Sequence, residues 1–327
     1  MRSLSLPQRL IARPEFGPFV LLVVEIVAFS LLAPAFVSEG NISNLLAFTP
    51  ELGMITLGMT LLMTSGEFDL SVGSVFGFTP VVMWTLYNSK ATSFEVGFLI
   101  AMALAVLIGL VNGLFVTRLR IPSFLVTLGM LLVVRGTALY ITSGFPQGTW
   151  TATSPLMKIL VGEIYIGDFR IYASLIWFIL FGIIFAYVLT ESKIGNWIQA
   201  SGGNSSSAQA RGVRVARTKT ALFIVTAFMA AFAGVISSIR VTSANPNSGT
   251  GYELEVIAMV VIGGTALNGG RGTIIGTMIG VLILRMMRNG IVMVGVPGLA
   301  YDIFIGAIIL GMMALHSGLE RRHHAGT

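Results

Sequence analysis

The chain has 327 residues, 55% of them hydrophobic and only 10% charged, with no Cys and a mean hydropathy of +0.88. A soluble domain carries about a quarter charged residues, so this composition excludes an ordinary soluble protein; at about 20 apolar residues per crossing, the length accommodates around ten membrane spans. The absence of Cys excludes a disulfide framework and a zinc–cysteine site, and the net charge of +6 is scattered between apolar runs, which fits topogenic charge and no nucleic-acid partner.

Ten apolar stretches follow in chain order, at about 17–36, 44–65, 70–88, 94–117, 121–142, 171–189, 219–240, 254–268, 271–290 and 299–316. The first follows Arg2, Arg9 and Arg13 and is longer than a signal-peptide core, so it reads as a retained anchor although Ala33-Pro34-Ala35 mimics a cleavage site. The segment at 254–268 is short and interrupted by Gly263-Gly264, which suits a half-helix or re-entrant turn. With the N-terminus cytoplasmic, alternate loops place 13 of the 20 basic residues inside, predicting both termini in the cytoplasm. Arg285 and Arg288 run against this bias. Two loops exceed a tight turn: an outer one at 143–170, rich in Gly, Pro and Thr, and a basic inner one at 190–219.

The two halves share a weak pattern of glycine, aromatic, acid and Leu, in Gly66-Glu67-Phe68-Asp69-Leu70 and Gly249-Thr250-Gly251-Tyr252-Glu253-Leu254. Each follows an apolar span and precedes three more, so the chain divides five plus five, and an odd number of spans per repeat forces opposite orientations. Chance similarity in a low-complexity apolar sequence is the competing explanation. The expected architecture is an all-α polytopic membrane protein of one domain over 1–327: repeat one at about 17–142, the outer loop 143–170, repeat two at about 171–316 and a cytoplasmic tail 317–327, with broken or re-entrant helices.

An inventory of chemistry argues against an enzyme. His316, His323 and His324 all lie at the C-terminal end, so no His-Glu-x-x-His site exists and no span offers a His to activate a serine. Tyr301-Asp302 and Gly167-Asp168 do not compose an aspartyl-protease pair. The glycine run from Gly264 to Thr273 has Arg271 where a phosphate loop needs Lys, so ATP hydrolysis belongs to another subunit and no cofactor is expected.

What remains is a set of polar residues in apolar surroundings. Asp69 and Ser71 stand where the third segment starts and either cap it or, with Glu67, face a transport path. Asn112, Thr127 and Asn268 can hydrogen-bond a sugar or a neighbouring helix, the latter being the default. Glu25, Glu51, Arg135, Arg285 and Asp302 must pair or face water; an interfacial position suits Glu25, and a structural ion pair or a snorkelling position suits Arg135. In the inner loop, Gly202-Gly203-Asn204 followed by Ser205 to Gly212 predicts one or two helical turns at the membrane surface. Such an element either docks on a soluble partner or is a solvated topogenic loop.

Taken together and in order, Phe68-Asp69-Leu70-Ser71-Val72-Gly73-Ser74, Asn112-Gly113, Ile121-Pro122-Ser123-Phe124, Ala200-Ser201-Gly202-Gly203-Asn204 and the block from Pro246 through Gly251-Tyr252-Glu253-Leu254 to Gly272 resemble the permease subunits of bacterial sugar ABC importers of the ribose/xylose/arabinose type. The resemblance spans about Asn41 to Leu315. It implies a multi-pass inner-membrane protein that moves a monosaccharide or polyol by alternating access. Its implied partners are an ABC ATPase subunit, a periplasmic sugar-binding protein, and a second permease copy or close relative. It places the ATPase contact around Asn204 to Gly212, with Gly203, Asn204, Ala208, Arg211 and Gly212 as candidates, and the path between the two halves near the Asp69 and Glu253 motifs, to which Ser71, Asn112, Thr127 and Asn268 are added as candidates on their polarity. Gly66-Glu67-Phe68 departs from the Gly-Gly and small apolar residue of many relatives, which leaves the substrate open. The competing readings are a branched-chain amino-acid or nucleoside ABC permease and an ion-coupled secondary transporter. The last more often places acids in mid-span, whereas most acids here sit in loops or at span ends.

Overall fold

The computed structural model describes residues 14–148, 153–167, 169–301, 303–307 and 310–311. Long apolar runs leave the backbone only its own hydrogen bonds, so they become helices. These are α1 (Phe16–Leu32), α2 (Glu39–Thr64), α3 (Val72–Asn88), α4 (Phe94–Thr117) and α5 (Ser123–Thr142) in the first half. After β1 (Gln147–Gly148) and α6 (Pro155–Val161), a hairpin of β2 (Glu163–Ile166) and β3 (Phe169–Tyr172) leads to α7 (Ala173–Glu191). Then come α8 (Lys193–Gly203), α9 (Ser205–Ala210), α10 (Val215–Arg240), β4 (Ser243–Ala244), α11 (Tyr252–Ile262) and α12 (Ile274–Met293).

Helices α2, α4, α5, α7, α10 and α12 are long and apolar enough to cross a membrane. Of the other four expected segments, α1 and α3 are 17 residues each and α11 only 11. The last, 299–316, is described only in part, and Asp168, Asp302 and the three His lie outside the described residues. The first segment stops at Leu32 because Pro34 opens a short 3-10 turn instead of continuing the helix. The eighth ends at Ile262, and 263–273 is non-helical. The loop expected at 143–170 holds the α6 and hairpin elements, in which Arg170 binds Glu163 and keeps its carboxyl below the usual carboxylate range.

Helices α2, α3 and α10 form the centre: Thr49 to Ser65 and Leu70 to Trp84 are buried without interruption. Small residues let these helices close on each other. A methyl group on Gly109 or Gly113 of α4 would lie within 3 Å of the α10 backbone at Phe223 and Thr220, so only glycine permits that packing. Pro80 lies inside α3, and Gly234 of α10 abuts the carbonyl of Phe76 one turn earlier. Helices α5 and α7 lie at the periphery, where Leu125, Leu132, Val133, Ile179 and Ile183 present the apolar exterior that lipid requires.

The bundle has two distinguishable ends. One carries α6, the hairpin and the β1–β4 ladder, in which Gln147 pairs with Ala244 and Gly148 with Ser243. The other carries α8 and α9.

Several ionisable groups in this apolar body are paired. Arg240 donates from Nε (2.8 Å) and Nη2 (2.5 Å) to Oε1 of Glu51 and stacks on Phe48, with its guanidinium carbon 3.8 Å from the ring centroid. The hydroxyl of Tyr301 donates to Glu255 at 2.7 Å, and Arg288 lies over the Tyr301 ring. Arg288 itself is exposed. Glu25 departs from the interfacial position expected of it: it is buried, and neither carboxylate oxygen has a hydrogen-bond partner among the described residues.

Arg240→Met, which strands the Glu51 carboxylate, is expected to destabilise the fold by about 3–5 kcal/mol, and adding Glu51→Leu should recover most of that loss. Unfolding in detergent, followed for both variants, checks the pair.

Candidate translocation site

The site begins where α2 ends. Gly66 has φ +86°, a left-handed turn that side chains disfavour, and the chain then runs non-helically to Ser71. Glu67 is held there by Lys219 of α10 at 2.7 Å. Asp69 is fully buried and acts as a hub. Its Oδ1 accepts from the Ser71 N–H (2.7 Å) and hydroxyl (2.6 Å), and its Oδ2 accepts from Asn112 Nδ2 at 3.3 Å. Asn112 Nδ2 also donates to Ser71 Oγ at 3.0 Å, while its Oδ1 is buried without a partner. The expected cap is thus a tighter device: an Asx turn onto Ser71, cross-braced to α4, with no side-chain cap on α3 itself.

From this brace α3 runs to Asn88, whose Nδ2 donates to Gly148 O of β1 at 3.1 Å. From β4, at that same end, the chain turns back along α3. A methyl on Gly77 would lie 2.6 Å from Ser248 O, and one on Gly73 would lie 2.2 Å from Gly249 O and 2.4 Å from Glu253 Oε2. Gly73 lies 15 residues of helix, about 22 Å, from Asn88, so the chain at 249 has come to the start of α3 before α11 begins. The beginnings of α3 and α11 therefore meet backbone to backbone, which brings the two similar sequence blocks together.

Arg135 of α5 clamps the descending segment, donating from Nη1 to Pro246 O (3.0 Å) and Ser248 O (3.1 Å). It also lies within electrostatic reach of Glu253, whose Oε2 is buried without a hydrogen-bond partner. Asn247, Thr250, Gly251 and Leu254 are exposed, so this break in regular structure has an open face beside the start of α3.

Asp69, Ser71 and Asn112 are gathered into one cluster, with Glu253 one turn of α3 away at Gly73. Thr127 is buried on α5 and donates to its own helix at Ser123 O, 2.8 Å away. Asn268 is not with them: it is exposed at the α8–α9 end, its carbonyl beside Gly66. A cavity of about 580 Å³ opens at the hairpin end, bordered by Met157, Lys158, Glu163 and Ile239, away from the Asp69 cluster. The clamp by Arg135 and the exposed Thr250–Gly251 stretch escape sequence reasoning. The only signals for them are an unpaired Arg in an apolar run and glycines spaced one turn apart at 73 and 77.

The inner loop forms two helices, more than the turn or two expected. Asn204 caps α9, its Oδ1 accepting from Ser207 N at 2.9 Å and Ser206 Oγ at 2.8 Å. Gly203, Arg211 and Gly212 are exposed, and Gly212 has φ +87°, the left-handed turn out of α9. Ala208 differs from its companions: it is buried and faces the bundle. An outside partner would meet Ser206, Gln209 and Arg211 instead.

Residues 41–313 match a protein-family model described as the permease component of the branched-chain amino acid transport system. The chain belongs to this permease family. The permease is 35% identical over 305 residues to the ribose import permease protein RbsC of Escherichia coli K12, covering 92% of each chain. It is 32% identical over 312 residues to the xylose/arabinose import permease protein XylH of Sulfolobus acidocaldarius, covering 93% of this chain and 85% of the other. Over 304 residues, 90% of each chain, it is 33% identical to the ribose import permease of Bacillus subtilis. No solved structure matches the permease. Family and apolar helices together make it a multi-pass inner-membrane protein.

In the permease, Asp69→Ala strands the buried Ser71 and Asn112 donors, at about 1–3 kcal/mol for each unsatisfied group. Asp69→Asn is expected to be milder, because a flip of the Asn112 amide presents its spare Oδ1 to the new amide. Melting temperatures of the two variants, ranked against wild type, check the arrangement; equal losses would contradict it.

Proposed function

We propose that the permease is the membrane-spanning subunit of an ATP-driven importer that carries a monosaccharide or related polyol by alternating access. The names of its relatives support a sugar, since those aligned above import ribose or xylose and arabinose. The observation that carries the transport path is the exposed, non-helical 247–251 stretch, deep along α3. Backbone amides facing lipid have no partner, so irregular backbone at that depth requires water or protein against it. The path therefore runs along this open face, with Glu253 and Arg135 as its charged pair and the Asp69–Ser71–Asn112 brace holding the start of α3 beside it. A second permease copy encloses the other side.

The remaining parts follow the same reading. Helices α3 and α11 start next to each other and run toward opposite ends of the bundle, which supports two inverted five-span repeats and about ten segments. Both termini and the α8–α9 element lie in the cytoplasm by the charge bias, so an ABC ATPase docks there. The periplasmic sugar-binding protein delivers substrate at the hairpin end. The sequence has no Gly-x-x-x-x-Gly-Lys-Ser/Thr loop, and hydrolysis falls to the partner, whose cycle shifts the permease pair between inward and outward states.

Two experiments test this. In proteoliposomes with the ATPase and binding protein, labelled ribose, xylose or arabinose should accumulate only with ATP; uptake driven by an ion gradient without the ATPase would sink the reading, and leucine uptake would favour the amino-acid alternative. Because the native chain has no Cys, Thr250→Cys and Leu254→Cys report the path directly. Both should react with a membrane-impermeant thiol reagent in the assembled transporter, whereas Leu99→Cys, 65% exposed on the apolar exterior of α4, should not.

A further inference from the structure

At the α8–α9 end, three backbones come into direct contact: the end of α2 at Thr64–Gly66, the end of α8 at Gly202–Gly203, and the loop 266–272 that follows α11. Gly270 N donates to Thr64 O at 2.8 Å. A methyl on Gly202 would lie 2.0 Å from Thr64 O and 2.5 Å from Gly270 N; one on Gly269 would lie 2.8 Å from Gly66 N and 3.0 Å from Gly202 Cα. Gly66, Gly269 and Gly270 all hold left-handed φ, between +80° and +86°, so the junction is specified by conformation as well as by space. The Lys219–Glu67 ion pair closes it on the α10 side.

One broken segment of the site ends at this junction, and the other is linked to it through α11. Gly66 opens the non-helical stretch that reaches Asp69, and the loop through Gly269 continues from α11, whose first turn carries Glu253. A displacement of α8 would thus reach the 66–71 stretch by direct main-chain contact and α11 through the loop that follows it. We infer that Gly202 and Gly269 are positioning residues that convert movement of α8–α9 into movement of the 66–71 stretch and α11. This rests on the reading of α8–α9 as the ATPase dock. A junction that only packs the bundle end would matter for stability and leave coupling untouched.

The discriminating readout is sugar moved per ATP hydrolysed, measured on the full transporter in proteoliposomes. Gly202→Ala and Gly269→Ala push the surfaces apart and should lower that ratio by roughly tenfold while the ATPase still co-purifies and hydrolyses ATP. Gly129→Ala, with nothing within 4 Å of the added methyl, should keep the wild-type ratio. An unchanged ratio in folded Gly202→Ala overturns the inference. Should both glycine variants fail to fold, Glu67→Gln decides, since it loosens the junction without added bulk: a lowered ratio supports the inference and a wild-type ratio overturns it. The docking premise has its own test in Gln209→Trp, Arg211→Glu on the exposed face of α9. Normal assembly and uptake in that double variant would remove the docking reading and the inference with it, whereas lost assembly beside an unchanged Gly202→Ala ratio would remove the inference alone.

Discussion

Backbone amides inside a bilayer must find their hydrogen bonds within the protein, and most of this fold follows from meeting that demand where the helices are interrupted. Between Gly66 and Ser71, and again between Ala244 and Gly251, the chain is irregular within the bundle. The first interruption is satisfied by an acidic side chain folded onto the next amide and braced from α4. The second is satisfied by a guanidinium donating to two carbonyls and by direct approach to α3, which glycine at 73, 77 and 249 makes possible. The surrounding helices α2 and α10 are buried over most of their length because they wrap these two breaks.

The distribution of charge obeys the same economy. Buried charges stabilise little in themselves, but stranding one is severe, so two of the acids in the bundle are found beside a specific cation. Glu51 and Arg240 join the two halves across α2 and α10, and Glu67 and Lys219 do so at the opposite end. These pairs leave few mid-bundle acids free for coupling ions, which weighs against gradient-driven transport. Both oxygens of Glu25 and one of Glu253 are buried without a hydrogen-bond partner among the described residues.

The helices were largely legible in the sequence, since an apolar run of 17 or more residues in a membrane has no other stable form; α4 is the clearest case, foreseen at 94–117 and observed there. The glycine pair at 263–264 similarly marked the end of α11. The return of 244–249 along α3 was not legible, because it depends on glycines in two remote segments whose spacing means nothing until they are adjacent. Arg135 could not be assigned for a related reason: its partners are main-chain carbonyls, which carry no residue signature. In α9 the composition indicated a short helix, but six residues are too few for a periodicity that would tell Ala208, facing inward, from Arg211, facing out. Asn268 was grouped with the path by its motif, whereas the turns at Gly269 and Gly270 carry it to the other end.

Pro80 has a consequence beyond its effect on α3 alone. Lacking an N–H, it cannot bond the carbonyl of Phe76, and that oxygen points at the α-carbon of Gly234. Such a contact is a carbon-donor hydrogen bond worth about 0.5–1 kcal/mol, far less than the amide bond it replaces. The close approach of the two central helices thus falls where α3 has given up a backbone bond, and two turns further along the buried Trp84 Nε1, donating to Ser238 Oγ at 3.0 Å, ties the same pair more firmly.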